Sequence, residues 1–148
     1  MNIRDISYDD QNIFMQLCNE FYSSDATLYG FDKQAAEKTF REAVTGNPML
    51  RILMLENDEE EVVGYSIITC FWSNEAGGIV VLLDELYVRT SERGKQLGSG
   101  FLAWLQDTYR DKAKAIRLEI CKSNTGAIRL YKRYQFQELD YGSMIYSM

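Results

Sequence analysis

The sequence predicts a mixed α/β (α+β) domain with a central β-sheet flanked by helices. Two patterns carry that prediction: segments with apolar residues at helical spacing, and shorter apolar runs bounded by turn residues. At 148 residues, 46% apolar and 26% charged, the chain has the size and composition of one soluble globular domain. We therefore expect residues 1–148 to fold as a single domain.

The elements are expected in the order β-α-α-β-β-β-α-β-α-β. Apolar runs predict strands at residues 3–6, 49–55, 62–72, 79–88, 115–121 and 142–148. Helical spacing predicts a helix that carries Ile13 to Phe21 and three more at residues 32–44, 98–110 and 124–134. Asp9-Asp10 and Asn124 offer N-caps, and Gly64 is a candidate for a β-bulge. The continuously apolar run at 79–88 is typical of a strand buried on both faces.

The composition excludes several kinds of chemistry. The chain has no histidine, which rules out Ser-His-Asp and Cys-His nucleophile systems and any His-based zinc site. Any acid–base catalysis would therefore use carboxylates, tyrosines, water and backbone dipoles. No metal site is predicted. The net charge of −6 argues against non-specific binding to nucleic acid.

The expected location follows from the termini, the apolar runs and the cysteines. The chain opens without a basic-then-apolar leader, and none of its apolar runs approaches the 18 residues of a membrane span. Cys18, Cys70 and Cys121 are odd in number and widely spaced, which is typical of buried, reduced thiols. These features favour a cytoplasmic protein without a membrane partner.

The first functional signal is a strand that runs into a glycine-rich loop and then a helix. Leu82 to Val88 is followed by Arg93-Gly94-Lys95-Gln96-Leu97-Gly98-Ser99-Gly100. Backbone N–H groups at a helix start lack internal partners and lie at the positive end of the helix dipole, so this loop could seat a pyrophosphate. The alternative is a tight turn whose glycines serve packing alone. Neither the P-loop pattern nor GxGxxG is present.

Two carboxylates interrupt the strand just before this loop. Asp84 and Glu85 are neighbours, so in a regular strand only one of them can face a given cleft, although a bulge could re-aim them. A carboxylate in a mostly buried strand is costly unless it is paired or hydrated, which makes such positions candidates for proton handling. An ion pair with a nearby lysine or arginine is the alternative interpretation.

The last predicted helix supplies a third signal. Asn124 stands at its expected N-cap, and Tyr131 follows seven residues later, about two turns, so both can face one cleft. Taken alone, Asn124 could be a plain cap and Tyr131 a core aromatic.

Together and in this order, the three motifs resemble the Gcn5-related N-acetyltransferase (GNAT) superfamily. The first family motif, [Q/R]-x-x-G-x-[G/A], is similar to Arg93 to Gly98, with Gln96 in place of the first glycine. The second, N-x-x-A-x-x-x-Y followed by Gly-Phe, is matched at Asn124, Ala127 and Tyr131, with Gln135-Phe136 where the Gly-Phe would be. The resemblance covers residues 60–137 closely and the whole chain in element order. If the position of Gln96 requires a positive φ, glutamine costs of order 1 kcal/mol or more there.

The resemblance implies a GNAT-type acyl-CoA acyltransferase fold, with a sheet splayed at the cofactor cleft. The strand backbone at 86–88 would pair with the pantetheine arm of acetyl-CoA, and the amides of the loop at 93–99 would hold its pyrophosphate. The cofactor-binding residues implied are Leu86, Tyr87, Val88, Arg93, Gly94, Lys95, Gln96, Leu97, Gly98, Ser99, Asn124, Ala127 and Tyr131. The implied function is transfer of an acetyl group from acetyl-CoA to a primary amine of a small molecule, by direct attack in a ternary complex.

Such a transfer needs a neutral amine, a stabilised oxyanion and a protonated leaving thiolate. We assign the protonation of the thiolate to Tyr131 and the stabilisation of the oxyanion to the N–H of Val88. With no histidine in the chain, the expected base is Glu85 or Asp84 acting through water, and Glu85 is the first choice.

Specificity for the acceptor is expected from the first 35 residues, the end of the strand at Trp72 and the chain near Tyr141. An aromatic wall with a carboxylate beside it would suit an alkylammonium group, and the residues considered for it are Tyr22, Asp25, Tyr29, Phe31 and Trp72. Core packing is the alternative for each aromatic side chain. The sequence leaves open the acceptor and whether the protein is a homodimer. The alternative function is a non-catalytic acyl-CoA-binding sensor or interaction module of the same fold.

Overall fold

A five-stranded mixed sheet forms the centre of the computed structural model, which describes residues 1–24 and 27–148. The strands, in spatial as well as chain order, are β1 (Asn2–Asp5), β2 (Leu50–Glu56), β3 (Val62–Ser73), β4 (Gly78–Val88) and β5 (Ala115–Leu118). The helices are α1 (Gln11–Tyr22), α2 (Lys33–Val44), α3 (Leu97–Tyr109) and α4 (Thr125–Arg133). Neighbouring strands are antiparallel except β4 and β5, which run parallel. The predicted mixed sheet flanked by helices is confirmed.

Alternation along the strands divides the core into two layers. Ile52 and Met54 of β2 pack in one cluster with apolar residues of α1 and α2. Leu53 and Leu55, which alternate with Ile52 and Met54, pack in a second cluster with residues of α3. Residues of α4 pack against this second cluster. Since successive side chains of a strand point to opposite faces, the sheet lies between an α1/α2 layer and an α3/α4 layer.

Side-chain caps fix the starts of α2 and α4. Asp32 accepts hydrogen bonds from the amides of Gln34 and Ala35, at 2.9 and 3.1 Å. Asp10 stands at the N-cap of α1 but makes no side-chain cap bond. Its carboxylate instead accepts two hydrogen bonds from Arg4, at 2.7 and 2.8 Å. Asp10 is therefore the N-cap residue by position, as predicted, but its carboxylate binds Arg4 instead of the helix amides, because a bidentate charged pair is the stronger partner.

The bulge expected near Gly64 is confirmed in β3. The pairing with β2 shifts from Leu55↔Gly64 to Glu56↔Val62, so Val63 is the extra residue. A Cβ on Gly64 would lie 2.4 Å from the carbonyl oxygen of Tyr87. Glycine is therefore required here by the close approach of β4.

The strand predicted at residues 142–148 is wrong. This segment is not in a strand, and Met144, Ile145 and Tyr146 are between 80% and 101% exposed. The side chain of Ser143 donates to Glu119, and that of Tyr141, just before the segment, donates to Glu75. Apolar composition favoured a strand, but without a backbone ladder to β5 no strand forms.

Among the helices of residues 1–24 and 27–148, none has the length and apolar character needed to cross a membrane.

Candidate active site

An open backbone edge on β4 is the first part of the site. β4 pairs with β3 from Gly78 to Val88, but with β5 only from Val80 to Leu83. β5 ends at Leu118, opposite Leu83, so among the described residues β4 has no strand partner on that side beyond Leu83, as the predicted splay requires. The amide of Arg89 donates to Val63 on the β3 side. Because N–H directions alternate along a strand, the N–H of Val88 faces the open edge.

A β-bulge in β4 places the carboxylates beside that edge. The pairing with β3 passes from Ile68↔Leu83 to Ile67↔Glu85, so Asp84 is the extra residue. Leu83 packs in the α3/α4 layer, whereas Glu85 contacts side chains of the α1/α2 layer. The bulge that could re-aim the carboxylates is therefore present, and it brings Glu85 toward α1.

Glu85 is held by two phenols. Its Oε1 accepts a hydrogen bond from Tyr22 on α1 and its Oε2 accepts one from Tyr65 on β3, each at 2.5 Å. Burial raises the pKa of Glu85 above its ordinary value, although both hydrogen bonds lower it, and the nearby charge of Asp84 raises it further. In the described part of the chain neither Glu85 nor Asp84 forms an ion pair. The structure thus offers no support for the ion-pair interpretation.

Asp84 lies on the outside of the bulge and is exposed. Partial desolvation raises the pKa of this carboxyl, and the negative charge of Glu119, just after β5, raises it further. Asp84 and Glu119 therefore repel one another where β4 and β5 separate.

The loop before α3 presents unpaired amides. Gly94 has a φ of +85°, and Gln96, the N-cap of α3, has a φ of +66°. The amide of Arg93 donates to Thr90, and that of Gly100 donates to Gln96. Between them, the amides of residues 94–99 donate no hydrogen bond within the described chain. A run of unsatisfied N–H groups at a helix start suits an anion.

The basic side chains of this loop are engaged with the protein. Lys95 pairs with Glu92 at 3.0 Å. Arg93 donates from Nε to the carbonyl of Val88 at 3.2 Å, and its guanidinium lies 6.0 Å from the centre of the Tyr87 ring. Backbone amides, more than charged side chains, are therefore the groups available to an anion here.

Helix α4 closes the site from the other side. The side chain of Asn124 accepts a hydrogen bond from the amide of Ala127 at 3.2 Å. The structure therefore shows Asn124 in the role of an N-cap. A Cβ on Gly98 would lie 3.3 Å from Leu130, which shows that α4 packs against the first turn of α3. The loop and α4 are thus adjacent, as the resemblance implied.

Tyr131 is fixed by the end of its own helix. The amides of Gln135 and Phe136 donate to the carbonyls of Lys132 and Tyr131, and the Phe136 ring lies 5.6 Å from that of Tyr131. These contacts form a Schellman motif, whose left-handed position is Gln135, at a φ of +65°. Burial raises the pKa of Tyr131 to about 12, so the phenol stays protonated at neutral pH. Tyr131 packs in the α3/α4 layer, whereas Glu85 contacts side chains of the α1/α2 layer, so the two residues lie on opposite faces of the sheet.

The aromatic wall is only partly assembled. Tyr22 packs 6.4 Å from Phe31 and 5.2 Å from Phe21, centre to centre. Tyr29 is 69% exposed, and Asp25 lies outside the described residues. Trp72 pairs with Ile79 at the far end of β3, five residues from Ile67, or about 17 Å along the strand. Trp72 therefore does not join Tyr22 and Glu85, because an extended strand separates them.

Sequence reasoning missed Tyr65. It is wholly buried in β3 and donates a hydrogen bond to Glu85, and Cys18 of α1 packs in the same core cluster. The available signal was a tyrosine in an apolar strand, since a buried phenol needs a hydrogen-bond partner. Burial raises the pKa of the Cys18 thiol to about 12, which agrees with the absence of a cysteine nucleophile from the expected chemistry.

A sequence model of the acetyltransferase (GNAT) family matches residues 13–136. The chain therefore belongs to the GNAT family of acetyltransferases. Its fold is similar to that of a possible acetyltransferase from Clostridium difficile 630, with a TM-score of 0.82, 19% identity, and 99% of this chain and 97% of that one covered.

Two further solved structures are similar over nearly the whole chain. An integron cassette protein from the mobile metagenome of Cole Harbour Salt Marsh has a TM-score of 0.80 at 25% identity, with 99% of this chain and 90% of that one covered. AAC(6')-Iy, solved with the bisubstrate analogue CoA-S-monomethyl-acetylneamine, has a TM-score of 0.79 at 14% identity, with 99% and 97% covered. The curated proteins contain no match to this sequence.

Proposed function

We propose that the protein transfers an acetyl group from acetyl-CoA to a primary amine of a small molecule, by direct attack in a ternary complex. One observation carries the proposal: Glu85, in the part of β4 that β5 does not pair, lies on one face of the sheet and Tyr131 lies on the other. An extended acyl donor on that edge would have a base on one side and an acid on the other.

The chain's own groups fit acetyl-CoA. The strand backbone at 86–88 offers an edge that an extended pantetheine arm could join, as peptides join open sheet edges. The unpaired amides of residues 94–99 suit its pyrophosphate. Bound acetyl-CoA would supply an activated acetyl thioester. The complex of AAC(6')-Iy with a CoA-containing analogue supports this choice of donor.

Three groups divide the chemistry. Glu85 would take a proton from the amine, and its raised pKa brings it closer to the proton affinity that such a base needs. The N–H of Val88 would donate to the acyl oxygen as negative charge develops there. Tyr131 would donate its proton to the leaving sulfur, since its phenol is protonated at neutral pH.

The alternative, a non-catalytic acyl-CoA-binding module, is favoured by one observation: Gln96 holds a left-handed conformation where glycine would be unstrained. The pairing of two tyrosines with Glu85 favours the enzyme, because a binding module has no use for a buried carboxylate without a cation. The three cysteines form no disulfide, which fits the reducing environment of the cytoplasm that we propose for the protein.

Thermal unfolding with and without acetyl-CoA tests the cofactor. At 100 times Kd, binding should add about 2.7 kcal/mol to the free energy of unfolding, which raises Tm by roughly 5–10 °C in a chain of this size. Turnover of acetyl-CoA with a panel of polyamines, aminoglycosides, amino acids and peptides then tests the reaction. A Tm shift without turnover of any amine would support the binding module instead.

A further inference from the structure

We infer that Tyr22 is a catalytic residue that passes the proton of the acceptor amine to Glu85, and that Tyr65 is a positioning residue that orients the Glu85 carboxylate for this transfer. The inference rests on the proposed function, in which Glu85 is the base. It goes further because it assigns the hydroxyl of Tyr22, a residue of α1, to the proton path.

The two phenols bind different oxygens of one carboxylate and differ in burial. Tyr65 is wholly buried and donates to Oε2. Tyr22 is half-buried and donates to Oε1. Of the two hydroxyls, only that of Tyr22 belongs to a side chain that solvent or a substrate can reach. An ammonium group that approaches from the α1 side would therefore meet the hydroxyl of Tyr22 before it meets Oε1 of Glu85.

Packing holds the Tyr22 ring in place. It is the last residue of α1, it stacks edge-on against Phe21 with an interplanar angle of 82°, and Phe31 flanks it. A fixed ring keeps its hydroxyl directed at Oε1, which proton transfer through a relay requires.

Among residues 1–24 and 27–148, the titratable groups around Glu85 are neutral or acidic. They are Asp84 on its own strand, Tyr22 and Cys18 on α1, and Tyr65 on β3. Without a cation to stabilise its charge, the carboxylate is a better proton acceptor than an ion-paired one. Burial first, and then the bond to Glu85, raise the pKa of Tyr22, so this phenol relays a proton without ionising.

The step balances as a transfer of one proton. An N–H bond of the substrate ammonium breaks and its proton goes to Oη of Tyr22, while the original Tyr22 proton moves to Oε1 of Glu85. The amine keeps the electron pair and becomes nucleophilic, and the carboxylate becomes a neutral acid. The bond from Tyr65 to Oε2 stays in place, and nothing is oxidised or reduced.

The test compares Tyr22→Phe and Tyr65→Phe with the wild-type protein, using acetyl-CoA and an amine accepted in the panel. Tyr22→Phe should lower kcat about 10²-fold and leave the KM for acetyl-CoA unchanged. Each variant loses one donor to the carboxylate, so the acidic limb of the pH profile of kcat/KM should move to higher pH. Tyr109→Phe is the matched control, because Tyr109 is the last residue of α3 and packs in the α3/α4 layer, on the other face of the sheet from Glu85.

A structural readout accompanies the kinetics. Titration of the Glu85 carboxyl carbon by NMR, in the absence of substrate, should show a higher pKa in both variants and no change in Tyr109→Phe. A Tyr22→Phe variant with wild-type kcat and pH profile would overturn the relay while the proposed function stands. A wild-type protein that acetylates no amine in the panel would overturn both.

Discussion

Leu83 and Glu85 lie two residues apart on β4, yet their side chains enter opposite layers of the core. In a regular strand they would share a face. Asp84 makes the difference, because it is the extra residue of the bulge and shifts the alternation by one. The pairing of β4 with β5 ends at the same point, after Leu83. The bulge and the splay thus coincide in the chain.

Deletion of Asp84 should separate the direction of the Glu85 side chain from the opening of the β4 edge. Glu85 would then follow Leu83 directly, and regular alternation would still turn it toward Tyr22. The bend that a bulge introduces would be lost, so β4 should continue alongside β5 and close the open edge. We expect acetyl-CoA to bind about tenfold more weakly or worse, with the free energy of unfolding reduced by less than about 1 kcal/mol. Isothermal titration calorimetry and urea unfolding would measure the two quantities.

The matched control is deletion of Ala76, an exposed residue of the β3–β4 turn in the same hairpin. It removes one residue without touching the bulge and should leave acetyl-CoA binding at the wild-type level. Wild-type affinity in the Asp84 deletion would show that the splay does not depend on the bulge.

Glycine at two left-handed positions should stabilise the protein. Gln96 and Gln135 have φ values of +66° and +65°, a conformation that costs L-residues roughly 1–2 kcal/mol. Part of that gain is offset by the greater freedom of glycine in the unfolded chain. Gln96→Gly and Gln135→Gly should therefore each raise the free energy of unfolding by about 0.5–1 kcal/mol, as measured by urea denaturation.

Gln137→Gly is the control for both variants, since Gln137 is exposed and has no positive φ. It should not gain stability. Gln96→Gly should also bind acetyl-CoA at least as tightly as the wild type, because the amides of the loop keep their conformation at lower cost. A weaker complex would indicate that the Gln96 side chain itself contacts the ligand.

Local signals predicted most of this fold. The cap at Asn124 and the start of a helix at Asp32 depend only on neighbours in the chain. The prediction of a strand at 142–148 was wrong because a strand also needs the edge of a neighbouring strand, and the local pattern of apolar residues does not specify that neighbour. The contact between Tyr65 and Glu85 joins residues 20 positions apart, and it depends on the register of β3 against β4. The prediction that Trp72 lies in the acceptor site was wrong for the same reason, because its distance from Glu85 follows from strand length and register.

Tyr131→Phe tests the proposed acid. Phenylalanine keeps the ring that packs on Phe136 and removes only the hydroxyl. We expect kcat to fall about 10²-fold, the usual scale for loss of an acid–base group, with little change in Tm or in acetyl-CoA affinity. Stopped-flow release of CoA would measure the change. Tyr109→Phe again provides the control, and an unchanged kcat would remove Tyr131 from the mechanism.

The pair of Arg4 and Asp10 should make stability depend on pH in the acidic range. Hydrogen bonds from Arg4 lower the pKa of Asp10 from 3.8 to about 2, against the opposing effect of burial. A carboxyl with a lower pKa in the folded state stabilises that state above its unfolded pKa and loses this contribution as pH falls through the folded pKa. Asp10→Asn should therefore cost about 2 kcal/mol of unfolding free energy at pH 6. The difference from the wild type should shrink as pH falls from 4 to 2, as urea denaturation would show.

Asp9→Asn is the control, because it changes an exposed neighbour of Asp10, and its stability should follow that of the wild type at every pH. A difference between Asp10→Asn and the wild type that stays constant down to pH 2 would contradict the assignment.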